Sequence, residues 1–238
     1  MGIVHMSDPR VAAVPVRDNG QPLTDVRAAG VLVDGRRSDP AGAFAQLRTG
    51  VVERLLHAQS LLPEGLRLLL VEGYRPPDLQ QRYFEQYAAQ LRTARPEWTA
   101  EQIRTAAARY VSPPEVAPHS AGAAVDLTLV DPDGVELDMG TRLNATPEES
   151  AGACYTHADG ISRSARLHRD VLTVALTSAG LVNYPTEWWH FSHGDRYWAL
   201  MTGRPAAVYG ATRPGGAAGP PDTLDGNLPD QPGKDGRP

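Results

Sequence analysis

The sequence predicts a protein that contains both helices and strands, and three observations support this. Some segments carry apolar residues at helical spacing, and others are short apolar runs typical of buried strands. Turn signals rich in Gly and Pro separate the two kinds of segment. We predict helices over Asp39–Leu62, Asp78–Ala94, Thr99–Tyr110 and Ser164–Ala179, and strands over Leu66–Val71, Val125–Val130, Leu181–Tyr184 and Glu187–Phe191.

Local signals define the ends of these elements. Asp39 and Pro40 suit the N-cap and first turn of the first helix, and Asp78 suits the start of the second. Thr99 and Gln102 have the spacing of a capping box. Gly180 follows the last predicted helix at the position where a left-handed residue is common.

Two segments between these elements are predicted to be a tight turn and a long loop. The stretch Asp131-Pro132-Asp133-Gly134 is a strong turn signal and predicts a hairpin after the strand that precedes it. The segment from Met139 to Ala158 has little periodicity and is predicted to be a long loop.

Length and composition indicate one large domain with extensions. The chain has 238 residues, of which 41% are hydrophobic, and a formal net charge of −5. We expect a flexible N-terminus over residues 1–13, with residues 1–5 left out of the fold prediction because Met6 offers a second start. The domain is predicted over 14–202, and the Gly- and Pro-rich tail over 203–238 is expected to be disordered.

The same numbers exclude several classes of partner. The acidic balance gives no reason to expect nucleic acid, and no apolar run approaches the ~20 residues that cross a membrane. With no signal-peptide pattern and a single cysteine, Cys154, we predict a cytoplasmic protein. A nucleophilic Cys154 assisted by His157 is an alternative that spacing alone supports weakly. The sequence does not indicate an oligomeric state.

Two separate segments carry candidate metal ligands. His119 and Asp126 lie seven residues apart, with Gly122 between them permitting a bend, and His190 follows in Glu187-Trp188-Trp189-His190. Asp126 lies among apolar residues, where a carboxylate is costly without a partner, and a metal would be such a partner. Two imidazoles and a carboxylate suit catalytic zinc, which needs three protein ligands and an open position.

Further polar residues could complete a catalytic site. Glu187 is a candidate general base toward water, although residues three apart on a strand point to opposite faces. Both Glu187 and His190 could therefore reach one metal only if the segment bends or if Glu187 acts from the turn after Pro185. Arg75 follows an apolar strand, where its guanidinium could stabilise an oxyanion.

The combined motifs resemble those of the M15 zinc peptidases, and most closely those of the D-alanyl-D-alanine dipeptidases. The resemblance rests on Glu72-Gly73-Tyr74-Arg75-Pro76, on His119-x-x-Gly122-x-Ala124-x-Asp126 and on Glu187-Trp188-Trp189-His190, in that order. It implies a Zn²⁺ ion held by His119, Asp126 and His190, with Glu187 as the base and Arg75 as the oxyanion-stabilising cation. It also implies an α+β fold of the hedgehog and D,D-peptidase kind, in which an antiparallel sheet carries the metal site and helices flank it.

The resemblance implies a small peptide substrate, and the chain departs from the family at one substrate-binding position. Asn144 stands where the dipeptidases place an aspartate that holds the substrate's ammonium, and an amide carries no charge for this role. We also assign Tyr74 and Trp189 to the substrate site. A D,D-carboxypeptidase, another amidase, or a zinc-binding module without catalysis are the alternatives.

Overall fold

The computed structural model describes residues 2–36, 41–108 and 110–214. Within them the chain forms six α-helices and seven β-strands, joined by short 3₁₀ turns and longer loops. The helices are α1 (Pro9–Ala12), α2 (Thr49–Leu61), α3 (Pro77–Ala94), α4 (Ala100–Ala107), α5 (Arg163–Ser178) and α6 (Arg196–Met201). The strands are β1 (Leu23–Asp25), β2 (Leu32–Val33), β3 (Gln46–Arg48), β4 (Arg67–Glu72), β5 (Ala124–Val130), β6 (Val182–Asn183) and β7 (His190–Ser192).

Five of the strands form one sheet in the order β2-β4-β5-β7-β6. All its neighbours pair antiparallel except β2, which runs parallel to β4. Strands β1 and β3 form a separate antiparallel pair. The predicted α+β class and the predicted antiparallel character of the sheet are therefore confirmed, with β2 as a parallel strand at the edge.

The central strand β5 divides the molecule into a core side and a second, polar side. All of its seven residues are buried. Because alternate residues face opposite sides of a sheet, Val125, Leu127 and Leu129 join the main core, and Asp126 points the other way. Helices α2 and α5 cover the core side, with Leu55 and Leu172 fully buried against it.

Helices α3 and α4 form a second packed unit. Phe84 and Ala88 of α3 pack with Ile103 and Ala107 of α4. The predicted capping box at the start of α4 is present, since Thr99 and Gln102 bond to each other's backbone. Helix α3 is the longest described helix at 18 residues, and no helix among the described residues is apolar and long enough to span a bilayer.

The helix predicted from Asp39 is wrong in its first half. Residues 37–40 lie outside the described part of the chain, so the predicted cap at Asp39 falls there. Ala43–Ala45 forms a 3₁₀ turn and Gln46–Arg48 pairs with β1, so α2 begins only at Thr49. Pairing with a distant strand overrides the helical spacing of Phe44 and Leu47, both of which are buried.

The two ends of the predicted domain are also wrong, because neighbouring residues pack against it. Met6 and Val11 in the N-terminal segment are 2% and 0% exposed and belong to an apolar cluster that includes Tyr184. In the C-terminal segment 203–214, Ala207 and Tyr209 are 0% and 3% exposed. The expected flexible N-terminus and the expected tail therefore both contain packed structure, and residues 215–238 lie outside the described range.

The long loop predicted between Met139 and Ala158 is observed, and a buried arginine holds it. Arg169 of α5 is 1% exposed. Its guanidinium donates hydrogen bonds to the carbonyl oxygens of Met139 at 2.7 Å, Ala153 at 2.8 Å and Tyr155 at 2.6 Å. Burial lowers the pKa of Arg169 to about 10, which leaves it protonated at neutral pH. The loop is thus fixed by main-chain contacts to one cation.

Candidate active site

Three acidic or imidazole side chains form a row across adjacent strands. Asp126 of β5 pairs directly with His190 of β7 on one side and with Glu72 of β4 on the other. Directly opposed residues of neighbouring strands share a face. The register therefore places Glu72, Asp126 and His190 together on the side of the sheet that faces away from the main core.

A β-bulge in β4 explains why Glu72 belongs to this row. Leu70 pairs with Leu127, yet Glu72 pairs with Asp126, so β4 advances two residues while β5 advances one. Without the extra residue, Glu72 would share the core face with Leu68 and Leu70. Bulges redirect side chains in this way and are frequent beside active sites.

His119 reaches the same place from the turn that precedes β5. The 3₁₀ turn Pro118–Ala121 ends at Gly122, whose φ of +65° suits glycine. His119 Nδ1 lies 2.7 Å from the carbonyl oxygen of Gly73. A carbonyl oxygen can only accept, so Nδ1 carries the proton and Nε2 is left with a free lone pair. That lone pair is what a metal ligand requires.

The three predicted metal ligands converge on one point. Asp126 Oδ1 lies 3.4 Å from His119 Nε2 and 3.0 Å from His190 Nδ1, and one ligand atom from each residue lies within 4.8 Å of the others. Tetrahedral zinc ligands at about 2.0–2.1 Å from the ion lie roughly 3.3–3.4 Å from one another. All three residues are at most 5% exposed. The donor set and its spacing therefore fit a zinc ion.

The electrostatics of the row also favour a cation. Burial alone would raise the pKa of Asp126, but the imidazoles of His119 and His190 outweigh it and lower that pKa. Arg75 likewise outweighs the burial of Glu72 and lowers its pKa. Among the described residues, Arg75 is the guanidinium that acts on Glu72, Asp126 and Glu187, and a divalent ion would offset the negative charge that remains in this described cluster.

Glu187 lies in the turn between β6 and β7. The backbone N–H of Glu187 bonds to Tyr184 O at 2.9 Å, and His190 N bonds to Glu187 O at 3.2 Å. This resolves the alternatives left open by the sequence, because Glu187 approaches from the turn and His190 from the strand. Glu187 Oε2 is 3.8 Å from His190 Nδ1. Burial raises the pKa of the Glu187 carboxyl to about 7, so it can exchange a proton near neutrality.

Arg75 is held rigidly at the edge of the site. Its Nε donates to Glu72 Oε1 at 2.6 Å and its Nη1 donates to Gln80 Oε1 at 2.8 Å. Gln80 is fixed in turn by Ser112 O, and the ring of Tyr83 lies 5.2 Å from the guanidinium carbon. Arg75 Nη2 has no hydrogen-bond partner among the described residues, so it is available to a bound oxygen.

A cavity of about 360 Å³ opens onto this cluster. Of the predicted substrate-binding residues, Asn144 and Trp189 line it, and Tyr74 does not. Tyr74 is fully buried and donates its hydroxyl to Thr212 O at 2.6 Å, so its assignment to the substrate site was wrong. Tyr74 instead anchors the C-terminal segment.

The alternative nucleophile is not part of this cavity. Cys154 is 0% exposed and lies in the main core. Burial raises the pKa of its thiol, which disfavours the reactive thiolate. Trp188 is also a core residue, and its indole N–H donates to Thr141 Oγ1 at 2.9 Å.

Three residues near the cluster were not identified from the sequence. Glu72 belongs to the Glu72–Pro76 motif, and a carboxylate that ends an apolar strand three residues before an arginine is itself a signal. Gln80, which positions Arg75, has no signal beyond its place in the first turns of α3. Met6 lines the cavity, and nothing in the local sequence marks it.

Comparisons with known proteins agree with the motifs. The family model of the M15 peptidases, described as D-Ala-D-Ala dipeptidase, matches residues 33–204. A D-alanyl-D-alanine dipeptidase of Synechocystis sp. is 31% identical over 219 residues, covering 79% of this chain and 87% of the relative. One from Enterococcus faecium is 34% identical over 147 residues, covering 59% and 69% respectively.

A solved structure also resembles the chain. It is a vancomycin-resistance D,D-pentapeptidase, VanY, in complex with Zn(II), with 16% identity and a TM-score of 0.39. The match covers 84% of this chain and 97% of that one.

Proposed function

Because the chain belongs to the M15 peptidase family of D-alanyl-D-alanine dipeptidases, we propose that it is a zinc peptidase that cleaves small peptides containing D-amino acids. The observation that carries this proposal is the convergence of His119, Asp126 and His190 beside Glu187 and Arg75 in one cavity. The three ligands would hold the ion. When bound, zinc supplies a Lewis acid that polarises a carbonyl and makes water more acidic.

The protein's own residues then divide the chemistry. Glu187 takes a proton from the attacking water and delivers it to the leaving amine, a role that suits a carboxyl whose pKa is about 7. Arg75 donates from Nη2 to the substrate oxygen as negative charge develops there. Glu72 and Gln80 prevent the guanidinium from turning away, so the donor is oriented before the substrate arrives.

Hydrolysis of D-Ala-D-Ala and of its L-Ala-L-Ala counterpart by zinc-loaded protein tests this proposal. We expect turnover of the D series, loss of turnover after chelation, and recovery when zinc is added back. Elemental analysis should find about one zinc per chain. Absence of bound zinc in an active, chelator-treated protein would contradict the metal assignment, and activity only toward L peptides would contradict the substrate class.

A second candidate, a D,D-carboxypeptidase or related amidase, is favoured by one observation at Asn144. Every described carboxylate that lines the cavity belongs to the catalytic cluster, namely Glu72, Asp126 and Glu187. Nearby acids outside this lining include Glu149, which pairs with Arg142, and Asp138, which accepts from Gly140 N. Glu148 does not line the cavity either, but it is close enough to the lining residue Tyr87 to add to the rise that burial causes in the pKa of that hydroxyl. An uncharged amide at this corner would accept an acylated amine more readily than the aspartate of a strict dipeptidase does.

The ratio of kcat/KM for D-Ala-D-Ala to that for N-acetyl-D-Ala-D-Ala distinguishes the candidates. The matched variant is Asn144→Asp, because Asn144 has a φ of +61° and both Asn and Asp tolerate this left-handed conformation. A charge-assisted bond is roughly twice as strong as a neutral one, so the variant should shift the ratio toward the free amine. An unchanged ratio would mean that the amine does not bind at Asn144. The predicted cytoplasmic location stays a prediction.

A further inference from the structure

The N-terminal segment forms part of the catalytic cavity. Met6 lines the cavity and is 2% exposed. Its backbone N–H donates to the Tyr184 hydroxyl at 3.2 Å, and the Tyr184 ring lies edge-on to His190 with centroids 6.0 Å apart. Met6 also packs in an apolar cluster with Val11, Val116 and Tyr184. Met6 is far from His190 in the sequence, yet the Tyr184 side chain connects it to this candidate zinc ligand.

Met6 also borders a second cavity. This cavity has a volume of about 330 Å³, and its lining includes Met6, Asp8 and Val116 together with residues of α4. The catalytic cavity and this second cavity thus share Met6 as a common wall.

The second cavity has a distinct chemical character. Among the described residues, its charged lining is Asp8, Glu101, Glu115 and Arg104. Arg104 is paired with Glu115, and Asp8 is paired with Arg10 at 2.7 Å. In the described part of the chain, three carboxylates thus face two guanidinium groups, and Glu101 is the acid without an ion pair. A long, positively charged side chain that entered this space would therefore be favoured.

We propose that Met6 is a specificity-determining residue that limits the substrate to a small side chain, such as that of alanine, by separating the catalytic cavity from this acidic extension. The proposal rests on the peptidase function proposed above and concerns the size of one substrate residue. A pocket that excludes or admits one methylene discriminates by roughly 10–200-fold. The expected effect of removing the wall is therefore large enough to measure.

The test compares wild-type protein with Met6→Ala, Met6→Leu and Val11→Ala. Two dipeptide series, D-Ala-D-Xaa and D-Xaa-D-Ala, carry Ala, Leu or Lys at the variable position. In at least one series, Met6→Ala should raise kcat/KM for Leu and Lys relative to Ala by about tenfold or more, with Lys gaining most. Met6→Leu conserves volume and should keep the wild-type order.

Val11→Ala is the matched control, because Val11 lies in the same apolar cluster and lines neither cavity. It should lower stability and leave the side-chain order unchanged. An unchanged order in Met6→Ala, or an equal shift in Val11→Ala, would overturn the proposal. A gain for Leu without one for Lys would refute the connection to the acidic cavity.

A binding measurement separates failure of this inference from failure of the proposed function. If wild-type protein cleaves none of these peptides, the proposed function is wrong. Calorimetric binding of the same peptides to zinc-loaded Glu187→Gln protein, with and without Met6→Ala, then measures size discrimination directly. Equal binding of the Ala and Lys peptides before and after the Met6 change would overturn the role of Met6.

Discussion

Removal of the C-terminal segment should destabilise the protein and weaken its metal site. Truncation after Arg204 deletes Ala207, whose N–H and C=O bond to Pro15 and Arg17 at 2.9 and 2.8 Å. It also deletes Tyr209, whose ring lies so close to Gly194 that a Cβ could not be added there. The segment therefore closes the domain on the side of α6.

The expected magnitude follows from Tyr209 alone. This residue is 3% exposed within the main core, and its hydroxyl lies 2.6 Å from Gln21 Oε1. Replacing a buried aromatic residue with alanine lowers the free energy of unfolding by about 3–5 kcal/mol. Loss of the hydroxyl hydrogen bond alone lowers it by about 0.5–1.5 kcal/mol. The truncation removes further buried contacts, against a typical total stability of about 5–15 kcal/mol.

The same segment supports the turn that carries a candidate zinc ligand, His119. Thr212 N–H donates to Ser120 O at 2.9 Å, and Thr212 O accepts from Tyr74 at 2.6 Å. Ser120 is the neighbour of His119, so losing Thr212 removes a support of the turn that presents this ligand. Truncation should therefore lower zinc affinity as well as stability.

Urea unfolding and zinc titration of four variants test this reasoning. Tyr209→Phe should lose about 1 kcal/mol, Tyr209→Ala about 3–5 kcal/mol, and truncation after Arg204 more than either. Truncation after Pro214 is the control, because the Gly- and Pro-rich composition of residues 215–238 predicts little effect. Full stability and zinc binding in the protein truncated after Arg204 would refute the argument.

Four further predictions concern the catalytic cluster and the core. Glu187→Gln should retain zinc by elemental analysis and lose ~10²–10⁴-fold in kcat; near wild-type turnover would exclude Glu187 as the base. Arg75→Ala should lower kcat far more than it raises KM, since the interaction forms with the developing charge; an effect on KM alone would make Arg75 a ground-state binder. Glu72→Gln should reduce kcat in the same direction because Arg75 loses the charge that orients it, and wild-type kinetics would show that Gln80 suffices. Burial lowers the pKa of His193 to about 4, whereas the pKa in the unfolded chain is about 6.5. The contribution of the neutral imidazole to the free energy of unfolding is therefore complete above pH 6.5 and is lost as pH falls toward 4. The loss is at most about 3 kcal/mol. His193→Asn should flatten this dependence in urea unfolding at pH 7 and pH 4.5, and an unchanged slope would contradict it.

The site could be predicted from the sequence to the extent that its residues stand in short motifs. His119 and Asp126 lie in and just after one turn, and Glu187 and His190 lie in and just after another. Each pair is therefore close in the sequence and could be recognised from a short segment. The bulge that redirects Glu72 could not be predicted, because it depends on the register between β4 and a strand more than fifty residues later. Gln80 could not be predicted because its orientation depends on a hydrogen bond to Ser112 O, which is distant in the sequence.

The fold was predicted where elements are long and locally capped, as in α4 and α5. It failed where distant pairing decides the structure. Residues 46–48 have helical apolar spacing, yet they form β3 because β1 supplies a partner. The composition of the segments outside 14–202 also did not predict that some of their residues pack against the domain. A few buried residues such as Met6 and Tyr209 are enough to hold a segment that is otherwise polar or rich in glycine.

The contacts of Arg169 have a consequence for how substrate preference can change. Its guanidinium holds Met139 at one end of the long loop and Ala153 and Tyr155 at the other. The residues between these clamped points, Asn144 among them, form a closed segment that helix α5 supports and that includes no candidate metal ligand. Insertions or substitutions there would reshape the part of the cavity around Asn144 while the candidate metal ligands keep their positions. Substrate preference could therefore change independently of the candidate metal site.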